Sequence, residues 1–328
     1  MPRPGPGHGR GKWSRRAVLF GLLGTASVGA GVAVLRSDEP AADVRSCPGA
    51  EIRYGVNAQD AGEVAARLAD FGAVGITRVF YAGMLPATWS PTREGASLNK
   101  ATQVSFKASP AAVASGVHDQ ALLSWMKSIP SGWRVYLTFW HEPNDELRLG
   151  MMSPTDFRAA WTKLSALRSQ VSLQPDVELS LVPVFMSYLV DTTTGWSDSW
   201  VPSPDEVGCL SWDVYGNPAK GSGLAGAYPD VGSRLNPCLR VTARLGFTEW
   251  AVTEFNTPRR TWDATEERRT VWLQSFLEYV IGRGRPVAPE LGPPQFLLLW
   301  EGVGANWDQR FTTSRTRDWW NGVISCNE

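Results

Sequence analysis

Val135-Tyr136-Leu137-Thr138-Phe139-Trp140-His141-Glu142-Pro143-Asn144-Asp145 is an apolar run of strand length that stops abruptly at a His-Glu pair followed by proline. Proline cannot continue a helix and biases the residue before it toward extended backbone, so the Glu142 carboxylate is expected where a buried strand meets a loop. A second stretch repeats the design. Trp250-Ala251-Val252-Thr253-Glu254-Phe255-Asn256 is a short apolar strand ending in one glutamate, with Pro258 close behind. Strand ends of this kind are where α/β barrels carry their reactive groups.

Around these two stretches, strand and helix signals alternate. Apolar strand runs occupy 52–56, 76–81, 103–107, 133–139, 177–184, 209–214, the run before Glu254, and 295–300. Between them, apolar residues recur at helical spacing, as in Val64, Leu68 and Phe71, or Leu122, Leu123 and Met126. Ser153-Pro154-Thr155-Asp156 has the composition of a helix start, and a helix is expected from there to about 171. A weaker helix is expected over 235–245 and a last one over 314–324. Asp263-Ala264-Thr265-Glu266 resembles a capping box ahead of Trp272, Phe276, Leu277, Val280 and Ile281. Eight such units without adjacent hairpins predict a parallel sheet closed as a (β/α)8 TIM barrel, with a doubly wound sheet as the alternative.

Length and composition allow this. A chain of 328 residues with 43% apolar side chains can bury a barrel core and carry an N-terminal extension. With 32 acidic and 32 basic side chains the formal net charge is zero, which argues against nucleic acid or an anionic surface as the main partner. Sixteen tryptophans are available for core packing or ligand stacking, and loops bearing Trp89, Trp196, Trp200 and Trp307 are expected to line a groove.

Residues 1–46 have the make-up of an export signal and linker, leaving 47–328 as the folded domain. Arg3, Arg10 and Lys12 lead to Ser14-Arg15-Arg16-Ala17-Val18-Leu19 and an apolar run over 17–35, which resembles a twin-arginine signal. If uncleaved, that run is long enough to anchor the chain in a membrane. Four cysteines fit an oxidising destination. Cys47 and Cys326 would pair if the first and last strands are neighbours, leaving a Cys209–Cys238 bridge.

Several chemistries are excluded by motif. H-E-x-x-H fails because position 145 is Asp and Pro143 breaks the required helix; G-x-S-x-G, a Walker A loop and a post-strand G-x-G-x-x-G are absent. Without C-x-x-C and with only His8, His118 and His141, no metal or cofactor is expected. What remains is the carboxylate pair, on strands four and seven of the count. Arg78 is embedded in strand two, where it must find a partner, and Tyr215 closes strand six. Retaining glycoside hydrolysis uses two carboxylates in this way, one as nucleophile and one as general acid/base, roughly 5 to 5.5 Å apart.

The set Arg78, His141-Glu142, Tyr215, Glu254 and Trp300 resembles the active-site constellation of clan A glycoside hydrolases, over the chain from about Ile52 to the C-terminus. Clan members commonly carry Asn before the acid/base; His141 is similar instead to family 26, the β-mannanase family. Family 26 usually continues His-Glu-Met and Glu-Phe-Gly, where this chain has His141-Glu142-Pro143-Asn144 and Glu254-Phe255-Asn256. The resemblance implies Glu142 as acid/base, Glu254 as nucleophile, Arg78 and Tyr215 stabilising its charge, His141 contacting the sugar and Trp300 forming a stacking floor. The expectation is an exported, monomeric, retaining β-glycoside hydrolase, endo-acting on a polysaccharide such as mannan. The alternative is a non-catalytic glycan-binding barrel whose cleft Trp89 or Trp196 fills.

Overall fold

The computed structural model describes residues 51–72, 74–190, 195–219, 221–283, 285–303 and 307–327. The segment expected to direct export, its apolar run and Cys47 lie outside the described residues. No helix among the described residues is long and apolar enough to cross a membrane.

Among the described residues nine parallel strands form one sheet: β1 (Arg53–Ala58), β2 (Ile76–Tyr81), β3 (Ala101–Phe106), β4 (Arg134–Phe139), β5 (Glu178–Leu181), β6 (Val184–Met186), β7 (Leu210–Tyr215), β8 (Trp250–Asn256) and β9 (Phe296–Leu299). Their order is β5-β4-β3-β2-β1-β9-β8-β7-β6. The two ends of the sheet are successive pieces of one stretch of chain, so the sheet closes on itself as the expected eight-stranded barrel with its fifth strand broken. The break falls at Val182-Pro183, where proline has no N–H to give the ladder. Val182 N still donates to Leu137 O of β4 at 2.9 Å, and Pro183 O accepts from Ser211 N of β7 at 2.9 Å.

Among the described residues eight α-helices follow the strands: α1 (Ala61–Phe71), α2 (Pro110–Ala114), α3 (Asp119–Lys127), α4 (Asn144–Arg148), α5 (Pro154–Gln170), α6 (Val231–Arg244), α7 (Glu267–Val280) and α8 (Ser314–Ile324). Ser153 caps α5 by accepting from Asp156 N, as its sequence implied. The start of α7 differs from a capping box. Glu266 sits in the left-handed region at φ 56° and turns its carboxylate to buried Arg269 and to Thr312, Thr313 and Thr316, while Asp263 accepts the amides of Arg268 and Arg269.

Inward side chains recur at every second strand position. At the N-terminal ends of the strands they are apolar, with Ile76, Ala101, Tyr136, Cys209, Ala251, Phe296 and Leu298 in one cluster. One step higher they are polar and hydrogen-bonded to one another: Gln103 donates to Thr138 at 2.9 Å, and Ser211 to Thr253 at 3.1 Å. Higher still come the charged groups.

Two expectations fail here. Cys209 and Cys238 are both free and buried. Cys209 points into the barrel interior, whereas Cys238 on α6 packs in the layer between sheet and helices, so strand β7 separates the two thiols. Cys326 is disulfide-bonded, and its expected partner Cys47 is outside the described residues. Trp89, Trp196 and Trp200 do not line a groove either. Trp89 packs against Trp125 and Trp133, and Trp196 against Phe185, Trp200 and Trp212, all within the core.

Candidate active site

Arg78, on β2, is fully buried at the centre of the C-terminal end of the barrel. Its guanidinium donates to Glu254 Oε1 at 2.9 Å, Asp213 Oδ1 at 3.4 Å and Ser105 Oγ at 3.2 Å, and lies 4.5 Å from the centroid of the Phe80 ring. The cost of burying this cation is thus met by two carboxylates.

Glu254 reaches Arg78 because β8 bulges. Against β7 the register runs Trp212↔Val252 and then Asp213↔Glu254, so Thr253 is the extra residue; the ladder to β9 shifts between the same positions. A bulge lets two consecutive side chains face one side. Thr253 bonds to Ser211 and Asp213, and Glu254 to Arg78. The Thr253 carbonyl, displaced from the ladder, accepts from Asn57 Nδ2 at 3.1 Å and from Arg78 at 3.3 Å. The Tyr215 hydroxyl donates to Glu254 Oε2.

Glu142 arrives from the other side. The structure corrects its expected extended geometry, since Trp140 and Glu142 both adopt left-handed backbone, at φ 47° and 55°. Such backbone is costly for non-glycine residues and persists only where surroundings fix it. Trp140 N donates to Phe106 O at 2.8 Å and Glu142 N to Val184 O at 3.0 Å, pinning the turn on both sides. Asn144 exchanges two hydrogen bonds with the Met186 backbone, at 2.9 and 3.4 Å, and ties the same turn to β6.

One carboxylate oxygen each of Glu142, Asp213 and Glu254 lie within 4.8 Å of one another. Asp213 is the site residue that strand and motif reasoning missed. The signal was present: an Asp inside an apolar strand, two positions before Tyr215 and therefore on the same face. Burial, and then Glu254, push the Glu142 carboxyl from 4.5 up to about 8. Burial pushes Asp213 from 3.8 up to about 8 against the pull of Arg78, with Glu142 adding to the rise. Glu254 is also raised from 4.5, to about 8, by burial and by Asp213, against the pull of Arg78 and the Tyr215 hydroxyl. Asp213 Oδ2 is buried without a geometric hydrogen-bond partner. The all-carboxylate grouping could hold a cation in principle, but Arg78 already stands against two of its members and supplies the compensating charge.

His141 packs edge-on to Phe80 at 5.2 Å, and its buried Nδ1 has no partner within the protein. Burial holds its imidazole neutral, well below the usual range, with Lys107 and Arg78 acting in the same direction. The Lys107 ammonium lies 5.6 Å from the Trp140 ring centroid. Half-buried Trp300 follows β9 and packs edge-on to Phe80 at 6.0 Å; its carbonyl accepts from Asn256 at 2.6 Å. The structure therefore brings Arg78, His141, Glu142, Tyr215, Glu254 and Trp300 to one end of the barrel, around Phe80, Lys107 and Asp213. A cavity of about 620 Å³ opens at the opposite end beside Arg53, Arg134, Glu249 and Gln295, and none of the site residues lines it.

No protein-family model and no curated protein matches the chain. Solved structures do. A modular endo-β-1,4-mannanase of family 26 from Cellulomonas fimi is 12% identical, with a TM-score of 0.52 over 86% of this chain and 72% of that one. Two fungal β-1,4-galactanases are represented at 13% identity and a TM-score of 0.51, over 83% of this chain and 93% of theirs. At such identities the likeness shows the fold alone, a TIM barrel of the kind these glycoside hydrolases have.

Proposed function

We propose that the chain is a retaining β-glycoside hydrolase. The observation that carries this is the carboxylate spacing: Glu142 and Glu254 oxygens within 4.8 Å suit the retaining geometry of about 5 to 5.5 Å between carboxyls and leave no room for the water that an inverting pair admits at about 6.5 to 9.5 Å. Their environments differ as the two roles require. Of the two glutamates only Glu254 bonds to Arg78 and the Tyr215 hydroxyl, both of which favour its ionised form, and it takes the role of attacking the anomeric carbon. Glu142, held protonated at neutral pH, gives its proton to the departing glycosidic oxygen. The aglycone leaves and a glycosyl ester forms on Glu254. Glu142, now a carboxylate, takes a proton from water, which attacks the ester and frees both sugar and Glu254. His141, neutral and half-buried beside Glu142, is placed to contact the sugar, and Trp300 offers its ring to the sugar under attack.

The substrate is a β-linked polysaccharide cut internally. Mannan leads because the Cellulomonas fimi neighbour is an endo-β-1,4-mannanase and because His141 precedes the acid/base. Export through the twin-arginine-like segment, followed by cleavage or anchoring, would bring the monomeric enzyme to such a polymer. A screen of mannan, xylan, galactan and mixed-linkage glucan by reducing-end release, with the anomer of the first product read by NMR, is the test. Release with retained configuration is expected. Inverted product would overturn the mechanism, and binding without any release would leave a glycan-binding barrel in its place.

A further inference from the structure

Among the described residues only one tryptophan is exposed. Trp262, at 52% exposure, lies between β8 and α7. A single exposed apolar side chain is ordinary; Trp262 differs in how it is held. Its Nε1 donates to Ala225 O at 3.2 Å, and the preceding residue's amide, Thr261 N, donates to Leu224 O at 3.0 Å. The ring meets the edge of Tyr228 at 5.7 Å and 72°. Tyr228 is itself fixed: its hydroxyl donates to Asp263 at 2.8 Å and accepts from Arg260 N at 3.2 Å. Beneath it lies the Arg260 guanidinium, 4.6 Å from the ring centroid and fully buried. Arg260 donates to Gly216 O at 2.8 Å and to Pro258 O at 3.0 Å.

The stack is rooted in the active-site strands. Gly216 directly follows Tyr215 at the end of β7, and Thr257, two residues after Phe255, donates to the same carbonyl at 2.7 Å. Both loops leave the C-terminal ends of strands, the end that carries Glu142 and Glu254. Because Nε1 is already satisfied, the open part of the ring lacks only an apolar partner, and its orientation has been fixed before any partner arrives, which lowers the ordering cost of binding. The C–H face of a pyranose supplies such a partner, and large rigid aromatics are the side chains that bind most per residue.

We propose that Trp262 is a stacking platform for a sugar unit of the polysaccharide distant from the bond being cut, an inference that rests on the glycosidase reading above. A glycan chain leaving the site past β7 and β8 would lie on it. Soluble glucomannan, xylan, galactan and mixed-linkage glucan are the probes, used with Glu254→Gln and with Glu254→Gln/Trp262→Ala in affinity electrophoresis. The expected result is retention of at least one polymer by the first variant and about tenfold weaker retention by the second, with Trp262→Phe recovering most of it. In the active protein Trp262→Ala should raise KM by a factor that grows with substrate chain length. Equal retention by both variants would overturn the platform while leaving the glycosidase reading intact. No retention by Glu254→Gln together with no release by the unaltered chain would sink that reading itself. A sedimentation change on Trp262→Ala, from an associated to a monomeric species, would assign the ring to a second copy of the chain and also overturn the platform.

Discussion

Asp213 and Glu254 stand opposite one another across the β7–β8 ladder because Thr253 has slipped out of register between Val252 and Glu254. In a regular strand the side chain following Thr253 would point away from the barrel axis. The bulge turns Glu254 inward to Arg78 and sets it beside a second buried acid.

Removing that acid's charge should show in the pH profile. Asp213 raises the Glu254 pKa, so Asp213→Asn should let Glu254 ionise at lower pH. The acidic limb of kcat/KM is expected to move down, measured with an aryl glycoside over the acid range. An unmoved or upward-shifted limb would show that Asp213 does not act on the nucleophile.

Lys107 acts with the opposite sign. Its ammonium lowers both Glu142 and Glu254, after the larger effects of burial and neighbouring acids. Lys107→Met should therefore shift both limbs of the profile upward. A change in turnover with both limbs in place would assign Lys107 to contact with substrate alone.

The two glutamates can be told apart chemically. Glu254→Ala should abolish nearly all turnover even with an activated aryl glycoside, since no glycosyl ester can form. Glu142→Ala should retain the first step with that substrate, accumulate the ester and respond to added azide by forming glycosyl azide. On unactivated glycosides its loss should be about 10² to 10⁴ in rate. Equal losses on both substrates, without azide product, would refute the assignment.

Stability should fall as pH rises. Glu142, Glu254 and Asp213 have folded values raised from 4.5, 4.5 and 3.8 to about 8, so the folded chain keeps protons that the unfolded chain has released. Their contribution is complete below the unfolded values and is lost as pH climbs toward 8, at up to about 1.4 kcal/mol per pH unit for one retained proton. Urea unfolding midpoints between pH 5 and 9 measure this, and Glu142→Gln should flatten the slope. An equally steep slope in the variant would exclude Glu142 as its source.

Two thiols should be countable. Burial pushes both Cys209 and Cys238 well above the usual thiol range, so neither should react with a disulfide reagent in the native protein. Both should react in denaturant without reductant. Recovery of a Cys209–Cys238 peptide on non-reducing mapping would contradict the structure.

The barrel, the strand-end glutamates and the embedded Arg78 were legible in the sequence because they depend on local periodicity: apolar runs of strand length, helical spacing between them, and an acid where two of the runs stop. Even the broken fifth strand carried its mark in Pro183. What the sequence did not determine is set by contacts between distant strands. The bulge at Thr253 exists only relative to β7 and β9, the left-handed turn at Trp140 and Glu142 is held by carbonyls of β3 and β6, and the separation of Cys209 from Cys238 follows from which face of β7 each occupies. Which tryptophans are core and which one is bare was likewise decided by packing, since Trp196 and Trp262 stand in equally loop-like sequence and only the folded chain gives one of them aromatic neighbours on all sides and leaves the other a free face.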